Sequence, residues 1–514
     1  LAPSLIGALI LAVRFQRRDV PVRQALVFVP MAGVLAAPAL ASASTFFAPG
    51  GGVLTKSTEL GNLRQPLKAS QALGIWPAGD FRDATVHPTV TTVLLVLLVL
   101  CGIACIVFAW RRRAFDLPLF VIATALGCLV VAHFGSPWVD GKAFATASPA
   151  FVLAGLAGAG ALLARGRLPL KLVGGVLSVA LLGGVLWSNA LAYRDANLAP
   201  RAQLAELEQI GHRFAGQGPA LMNDYDPYGA RHFLRSLDAE SVSELRVHVI
   251  PLRDGSQVPK GSSADLDRFP PSSIEPYRTI VLHRSPVESR PPANYRLVWS
   301  GRYWEVWQRP ISGGPGIVAD LPLGGGFQSG AIPECSSVLS LAARVPPGGK
   351  LAAAPRTPPV AIDLTKVAQA PNGWVPDPSH AGALEPTKPG SLVTGLIVPR
   401  NARYSIWLGG TFKSRVRVYV DGRLAAFARG VLQWEPSVRI GAVSLTAGQV
   451  HRVRIEYDAP SFLHPGSGGI QSGLGPLVFS DERSSKPVIQ VRPAQARSLC
   501  GHYLDWVEAL GPGG

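Results

Sequence analysis

Long apolar runs separated by short basic turns fill the first part of the chain, and alternating polar and apolar positions fill the rest. The stretch 171–193, KLVGGVLSVALLGGVLWSNALAY, marks the change. After Lys171 it runs about twenty residues without a charge, enough helix to cross a hydrocarbon core of about 30 Å. Similar runs at 1–13, 25–45, 89–110, 117–134 and 150–164 predict six spans in a membrane region over 1–193. Loops 46–88 and 135–149 connect them on one side. The basic turns 14–23, 111–113 and 164–171 all fall on the other side, which the positive-inside rule makes cytoplasmic. The chain is therefore expected to be a multi-pass cell-membrane protein whose C-terminal domains are extracytoplasmic.

Beyond Tyr193 the period changes. Helical spacing at 198–215, a short strand at 220–224, a helix at 228–237, a strand at 278–284 and an alternating hairpin at 295–309 predict a small α/β module over 194–310. Pro and Gly thicken over 311–359, which reads as a linker. Alternating strands then follow at 391–399, 402–410, 415–428, 438–445 and 451–459, with turns at Asp421-Gly422 and Ala447-Gly448. They predict an antiparallel β-sandwich or jelly roll over 360–514.

Composition agrees with a chain that is half membrane: 48% of the 514 residues are hydrophobic and only 16% charged, where soluble domains average about 25% charged. The net charge of +16 raises the question of nucleic acid. Its Lys and Arg, however, are scattered or gathered at the ends of spans, and no nucleic-acid-binding motif accompanies them. The lipid bilayer is the expected partner. Leu1 opens directly on an apolar run, the expectation for a chain that continues upstream, with its catalytic residues there. No GxSxG, P-loop or HExxH pattern is present, and His502 lacks a partner at metal-ligand spacing. No cofactor is certain; a divalent cation such as calcium is compatible with acidic loop oxygens of the sandwich.

Cys101, Cys105 and Cys128 lie inside apolar runs and read as packing residues. Cys335 and Cys500 lie in the region expected to meet an oxidising compartment, where they form either a disulfide or two free thiols.

Two connecting stretches are richer than spacers need. GIWPAGDFR (74–82) places Trp76, Asp80 and Arg82 in a shaped turn, and SPWVDGKA (136–143) repeats the mixture with Trp138, Asp140 and Lys142. An indole can stack on a sugar face while a carboxylate accepts from hydroxyls, and a lysine binds phosphate as a point charge. Interface anchoring and turn chemistry explain the same residues. In the sandwich, Tyr404 and Trp407 have opposite strand parity, so only one of them is expected to face the core. The other, with Trp434 in a later loop, is a candidate for glycan binding. Asp421-Gly422 reads as a hairpin turn, and 498–508 as a tail that docks back onto the fold.

The six spans, the motifs GIWPAGDFR and SPWVDGKA, the α/β module ending in RYWEVWQR and the following sandwich resemble the C-terminal half of actinobacterial-type membrane glycosyltransferases of the GT-C superfamily. The architecture is similar to that of the arabinofuranosyltransferases of cell-wall assembly, which carry a C-terminal carbohydrate-binding sandwich. The resemblance implies a polyprenyl-phosphate sugar donor, a cell-envelope glycan acceptor and catalysis at the outer face. The superfamily's catalytic carboxylate has no match in this chain, so Asp80 and Asp140 are expected as substrate contacts and not as a base. Two other classes remain: a non-catalytic membrane-anchored glycan-binding protein and a lipid-linked-sugar transporter. The transporter would want polar residues inside the spans, which hold little beyond His133.

Overall fold

A computed structural model describes scattered positions within 30–38, then 57–194 without 62, 64 and 166, and 201–512 without 226–228, 244–247, 260–261, 312–315, 368–369, 378–380, 459–472 and 483–485. The span expected at 1–13, and most of the one expected at 25–45, lie outside the described residues. The chain divides into two compact units, the first containing the apolar helices and the second the β-rich remainder.

Among the described residues, four helices of the first unit are long and apolar enough to cross a membrane: α1 (Pro88–Arg111), α2 (Asp116–Phe134), α3 (Pro137–Leu163) and α4 (Leu168–Arg194). Pro88 and Pro137 open α1 and α3 at the first-turn positions, where the missing N–H has no intrahelical partner to lose. The expected loop 135–149 is a correction. Its residues from Pro137 onward are helical, so Trp138, Asp140 and Lys142 ride on the first two turns of α3. Pro149 suggests a boundary there. Its i−4 carbonyl on Ala145 instead accepts from the Ser148 hydroxyl at 3.2 Å, and the helix passes through.

Small residues hold the bundle together. A Cβ built on Gly158 of α3 would lie 1.9 Å from the Cys101 carbonyl oxygen of α1, so no larger residue permits this crossing. Leu95, Leu98, Ala159 and Leu181 bury around it, while Ile103, Leu129 and Val176 stay exposed on the outside. Apolar residues on the outer surface suit a hydrocarbon solvent.

In the second unit, α5 (Arg201–Arg213) precedes a five-stranded sheet of β1 (Ala220–Met222), β2 (Ala239–Ser241), β3 (Thr279–His283), β4 (Arg296–Ser300) and β5 (Trp304–Gln308), ordered β2-β1-β3-β5-β4. β1 is parallel to β2 and β3, whereas β3–β5 and β5–β4 are antiparallel. All of β3 is buried, as befits a strand covered on both faces. Leu207, Ile210, Met222, Val281 and Val306 pack one face, and Leu221, Ile280, Phe269 and Tyr295 the other.

Within 311–359 the described residues from 316 onward are structured, which corrects the linker reading. It contributes β6 (Ile317–Pro322), α6 (Cys335–Ala343) and β7 (Lys350–Pro355). The curled sheet that follows comprises β8 (Val360–Ile362), β9 (Trp374–Pro376), β10 (Leu384–Pro386), β11 (Gly390–Leu396), β12 (Ala402–Val420), β13 (Arg423–Leu445), β14 (His451–Tyr457) and β15 (Gly473–Asp481). β12 pairs with β15 along its first half and with β14 along its second, with register shifts near Gly410. Bulges of this kind bend a strand and raise its twist. The β12–β13 hairpin turns at Asp421 and Gly422, both with positive φ, as a two-residue turn with strand-matching twist requires.

The chain then returns. β16 (Ile489–Val491) and β17 (Leu504–Leu510) join β6 and β7 in a four-stranded sheet, β16-β7-β17-β6. Thus the end of the expected 360–514 domain builds the core of the segment read as a linker. Its small residues Ala352–Ala354 are fully buried there.

Candidate functional site

The stretch before α1 is built into the helical unit. Residues Ala69–Leu73 form a short 3-10 turn ending at Gly74, whose φ is +83°. A side chain there would also meet Val152 at 2.9 Å and Ser148 at 3.1 Å on α3. Ile75 is fully buried with Leu95, Leu98 and Leu181. The Trp76 backbone N–H donates to Ser188 Oγ on α4 at 3.0 Å, and its indole N–H donates to the Asp83 carbonyl at 3.0 Å.

Asp80 is buried, and both its oxygens accept from the Arg82 side chain, at 3.0 Å from Nε and 2.5 Å from Nη2. The hydrogen bonds to Asp80 hold the Arg82 guanidinium above its ordinary pKa. The indole N–H of Trp76 and the charges of Asp80 and Arg82 are thus engaged within the loop. These residues shape it, which is the turn chemistry weighed from sequence.

On α3 the picture differs. Trp138 packs over Gly61, its backbone N–H 3.4 Å from the Glu59 carbonyl. The exposed Lys142 ammonium lies 3.4 Å from the Trp138 ring centroid, one helical turn away. Asp140, two residues from each along the helix, leaves from the opposite face of the first turn, its backbone N–H donating to the Ser136 carbonyl. Of the six candidates in the helical unit, Trp138 and Lys142 are brought together as an exposed cation on an indole face.

The glycan-binding candidates of the sandwich need correction. Tyr404 and Trp407 are both buried. Tyr404 joins the core of the curled sheet and donates from its hydroxyl to the Arg400 carbonyl. Trp407 faces the other way, but that face is covered: Val287, Val478 and Phe327 pack around it, and its N–H donates to Ser405 Oγ at 3.0 Å. Parity correctly separated the two rings; the cover over the second face was not visible in sequence. Trp434 lies within β13, and its side chain is outside the described residues. The partly exposed aromatics on the curled sheet include Phe427 and Tyr419, with the Arg454 guanidinium 4.1 Å from the Tyr419 centroid. Cys335 and Cys500 are joined as a disulfide across 165 residues. Among the described residues, no group of three or more His, Cys, Asp or Glu is placed to hold a metal.

Sequence reasoning missed a buried polar centre in the second unit. Asn223 and Asp224 follow β1, and His283 ends the parallel neighbour β3, with its Nε2 3.5 Å from Asp224 Oδ2. Burial raises the Asp224 pKa, and His283 opposes that shift. Asn223 Nδ2 donates to Glu288 at 3.4 Å, and burial also holds Glu288 well above its usual range. The carboxyl ends of parallel strands are where ligand sites gather in α/β sheets, so the short strand 220–224 running into Asn-Asp was the available signal. All four side chains are enclosed, so the present geometry offers a packed polar core and no open site.

Nearby, Arg290 and Arg356 converge on Asp505 Oδ2 at 2.9 and 2.8 Å. A water-sized cavity of about 20 Å³ adjoins, lined by Asp267, Glu508, Arg253 and Trp506. Burial pushes Glu508 up to about 8 and raises Asp267, where Asp265 adds to the effect.

The chain matches no known protein family, and no curated protein matches its sequence. Among solved structures, a GH26-CBM35 β-(1,4)-mannanase of Podospora anserina aligns at 15% identity over 25% of this chain and 29% of its own, with a TM-score of 0.18. A GH31 α-xylosidase of Xanthomonas citri aligns at 13% identity over 45% of this chain and 23% of its own, also with a TM-score of 0.18. The chain thus spans less than a third of either protein. Likenesses this slight carry no argument about function.

Proposed function

We propose that this chain is part of a multi-pass cell-membrane glycosyltransferase that moves a sugar from a polyprenyl-phosphate donor to a cell-envelope glycan, with the β-rich unit extracytoplasmic. The observation that carries the reading is the Trp138–Lys142 pair at the start of a membrane-length helix. A compact ammonium suits a phosphate, and an adjacent indole suits the apolar face of the sugar attached to it. The N-terminal end of α3 adds a partial positive charge favourable to an anion. Asp140, two residues from each, leaves the helix on the opposite face and is not part of this surface. Trp76, Asp80 and Arg82 act behind this surface by holding the loop among the helices.

The curled sheet, read as a carbohydrate-binding jelly roll, would retain the acceptor through Phe427 and Tyr419, since Tyr404 and Trp407 are inside. The alternative of a non-catalytic glycan-binding anchor loses the same two aromatics and leaves Lys142 without a role.

The test is transfer from a synthetic polyprenyl-phosphate sugar by membranes carrying the natural protein. Lys142→Met and Trp138→Ala are each expected to lower the rate roughly 10- to 100-fold, the range for losing a charge-assisted contact. Phe81→Ala, an exposed apolar position on the loop, should leave it unchanged. Unaltered rates in both Lys142→Met and Trp138→Ala would overturn the assignment.

A further inference from the structure

At the opposite end of the same bundle, α1 and α3 finish side by side at Arg112 and Arg165. A cavity of about 200 Å³ lies between them. Its walls are apolar, with Phe108 on α1 and Ala157, Ala161 and Ala164 from α3 and its end, and both arginines are at its rim. The close crossing at Gly158 brings the backbones together; beyond it the alanine side chains are too short to fill the space. Val107 and Leu163, next to these residues in the chain, are exposed and apolar.

The arginines have a bland explanation, the cationic ends that membrane helices carry. Two observations go beyond it. The carbonyls of Phe108, Ala109, Trp110, Gly160 and Leu162 accept backbone N–H groups, so the guanidiniums are not needed as caps there. Among the described residues, neither guanidinium has a carboxylate partner, and Arg165 is held 4.2 Å from the Phe108 centroid, over the cavity wall. The balance of charge favours an anion: each helix C-terminus contributes roughly half a negative charge, about one in all, against two guanidiniums. Arg111 and Arg113 add to the excess in the same turn.

We propose that this groove binds an anionic phospholipid, its phosphate between Arg112 and Arg165 and the start of an acyl chain along the alanine face of α3. A lipid fits better than a free anion because the walls below the charges are apolar, and a free anion would leave them wet. The proposal is independent of the transferase reading, since it concerns the other end of the helices and any membrane function.

Native mass spectrometry of the purified, delipidated protein tests it, with titration of phosphatidylglycerol against phosphatidylcholine of the same chains. The unaltered protein should retain phosphatidylglycerol at lower concentration than phosphatidylcholine. The double variant Arg112→Ala/Arg165→Ala should lose at least about tenfold in phosphatidylglycerol retention, at roughly fivefold per basic side chain near a charged surface. Ala161→Leu keeps both charges and fills the groove, so it should weaken retention as well, and it decides the matter if the double variant fails to fold. Equal retention of the two lipids, retention unchanged in Ala161→Leu, or displacement of phosphatidylglycerol by millimolar inorganic phosphate would overturn the proposal.

Discussion

Each unit contains a buried carboxylate held by guanidinium, and the two are assembled in opposite ways. In the helical unit Asp80 takes Arg82, two residues along the chain. In the β-rich unit Asp505 takes Arg290 and Arg356, 215 and 149 residues away. The first pair tightens one turn and leaves the surrounding helices to be ordered by their own backbone bonds. The second ties β17, the end of β7 and the chain between β3 and β4 into one object. Membrane helices satisfy their backbones alone, whereas sheets in water are completed by distant strands.

The comparison can be broken at its strongest long-range link first. Replacing Cys500 by Ser opens a loop of 165 residues and should destabilise the β-rich unit by about 5 kcal/mol in the chain-entropy treatment. Denaturant unfolding of the purified protein, followed by tryptophan fluorescence, reads the loss, and unchanged stability would show that the sheet of β6, β7, β16 and β17 holds without it.

Asp505→Ala comes next, because it leaves two buried guanidiniums uncompensated, at a cost of about 3–5 kcal/mol. Asp80→Ala should instead raise hydrogen exchange over 76–87 and leave α1–α4 protected. If both substitutions loosened only their own neighbourhoods, the contrast between the units would fail.

The last effect is spread over several pH units, and is the smallest per unit. Glu508 is buried, its carboxylate accepts from the Ala293 backbone N–H at 2.8 Å, and its pKa stands at about 8. The folded protein therefore keeps a proton that the unfolded chain releases near pH 4.3. Stability from this group is present below that value and declines as pH rises toward 8, by at most about 1.4 kcal/mol per pH unit. Glu508→Gln should flatten that slope and gain stability relative to the natural protein at pH 8, with little change at pH 4. Parallel pH profiles for the two proteins would place the Glu508 proton elsewhere.

Much of the helical unit was legible. Charge-free runs near 20 residues locate α1, α2 and α4 within a few positions, because length and apolarity are all that crossing a bilayer demands. The start of α3 was not, since SPWVDGKA carries the polarity of a loop and Pro149 that of a boundary. The Ser148 hydroxyl on Ala145 O reconciles them, and only the folded backbone shows it. Trp138 and Lys142 were named from residue type, yet their stacking follows from helical spacing that a loop reading forbids. In the β-rich unit the strands and the Asp421-Gly422 turn were legible from alternation, and Cys335 with Cys500 from their position. The cover over Trp407, the structure within 311–359 and the Asp224–His283 pair were not.

The amino-acid sequence alone thus determined what depends on neighbours along the chain: apolar length, strand alternation, the hairpin turn and the cation-rich ends of the helices. Tertiary structure decided which strands share a sheet, which aromatic rings are covered and which carboxylates lose their water. Those outcomes depend on β17 reaching β6 and β7 and on the packing of Val287 against Trp407, contacts between residues more than a hundred positions apart. Local propensity carries no record of such distances, whereas the free energy of burial depends on them directly.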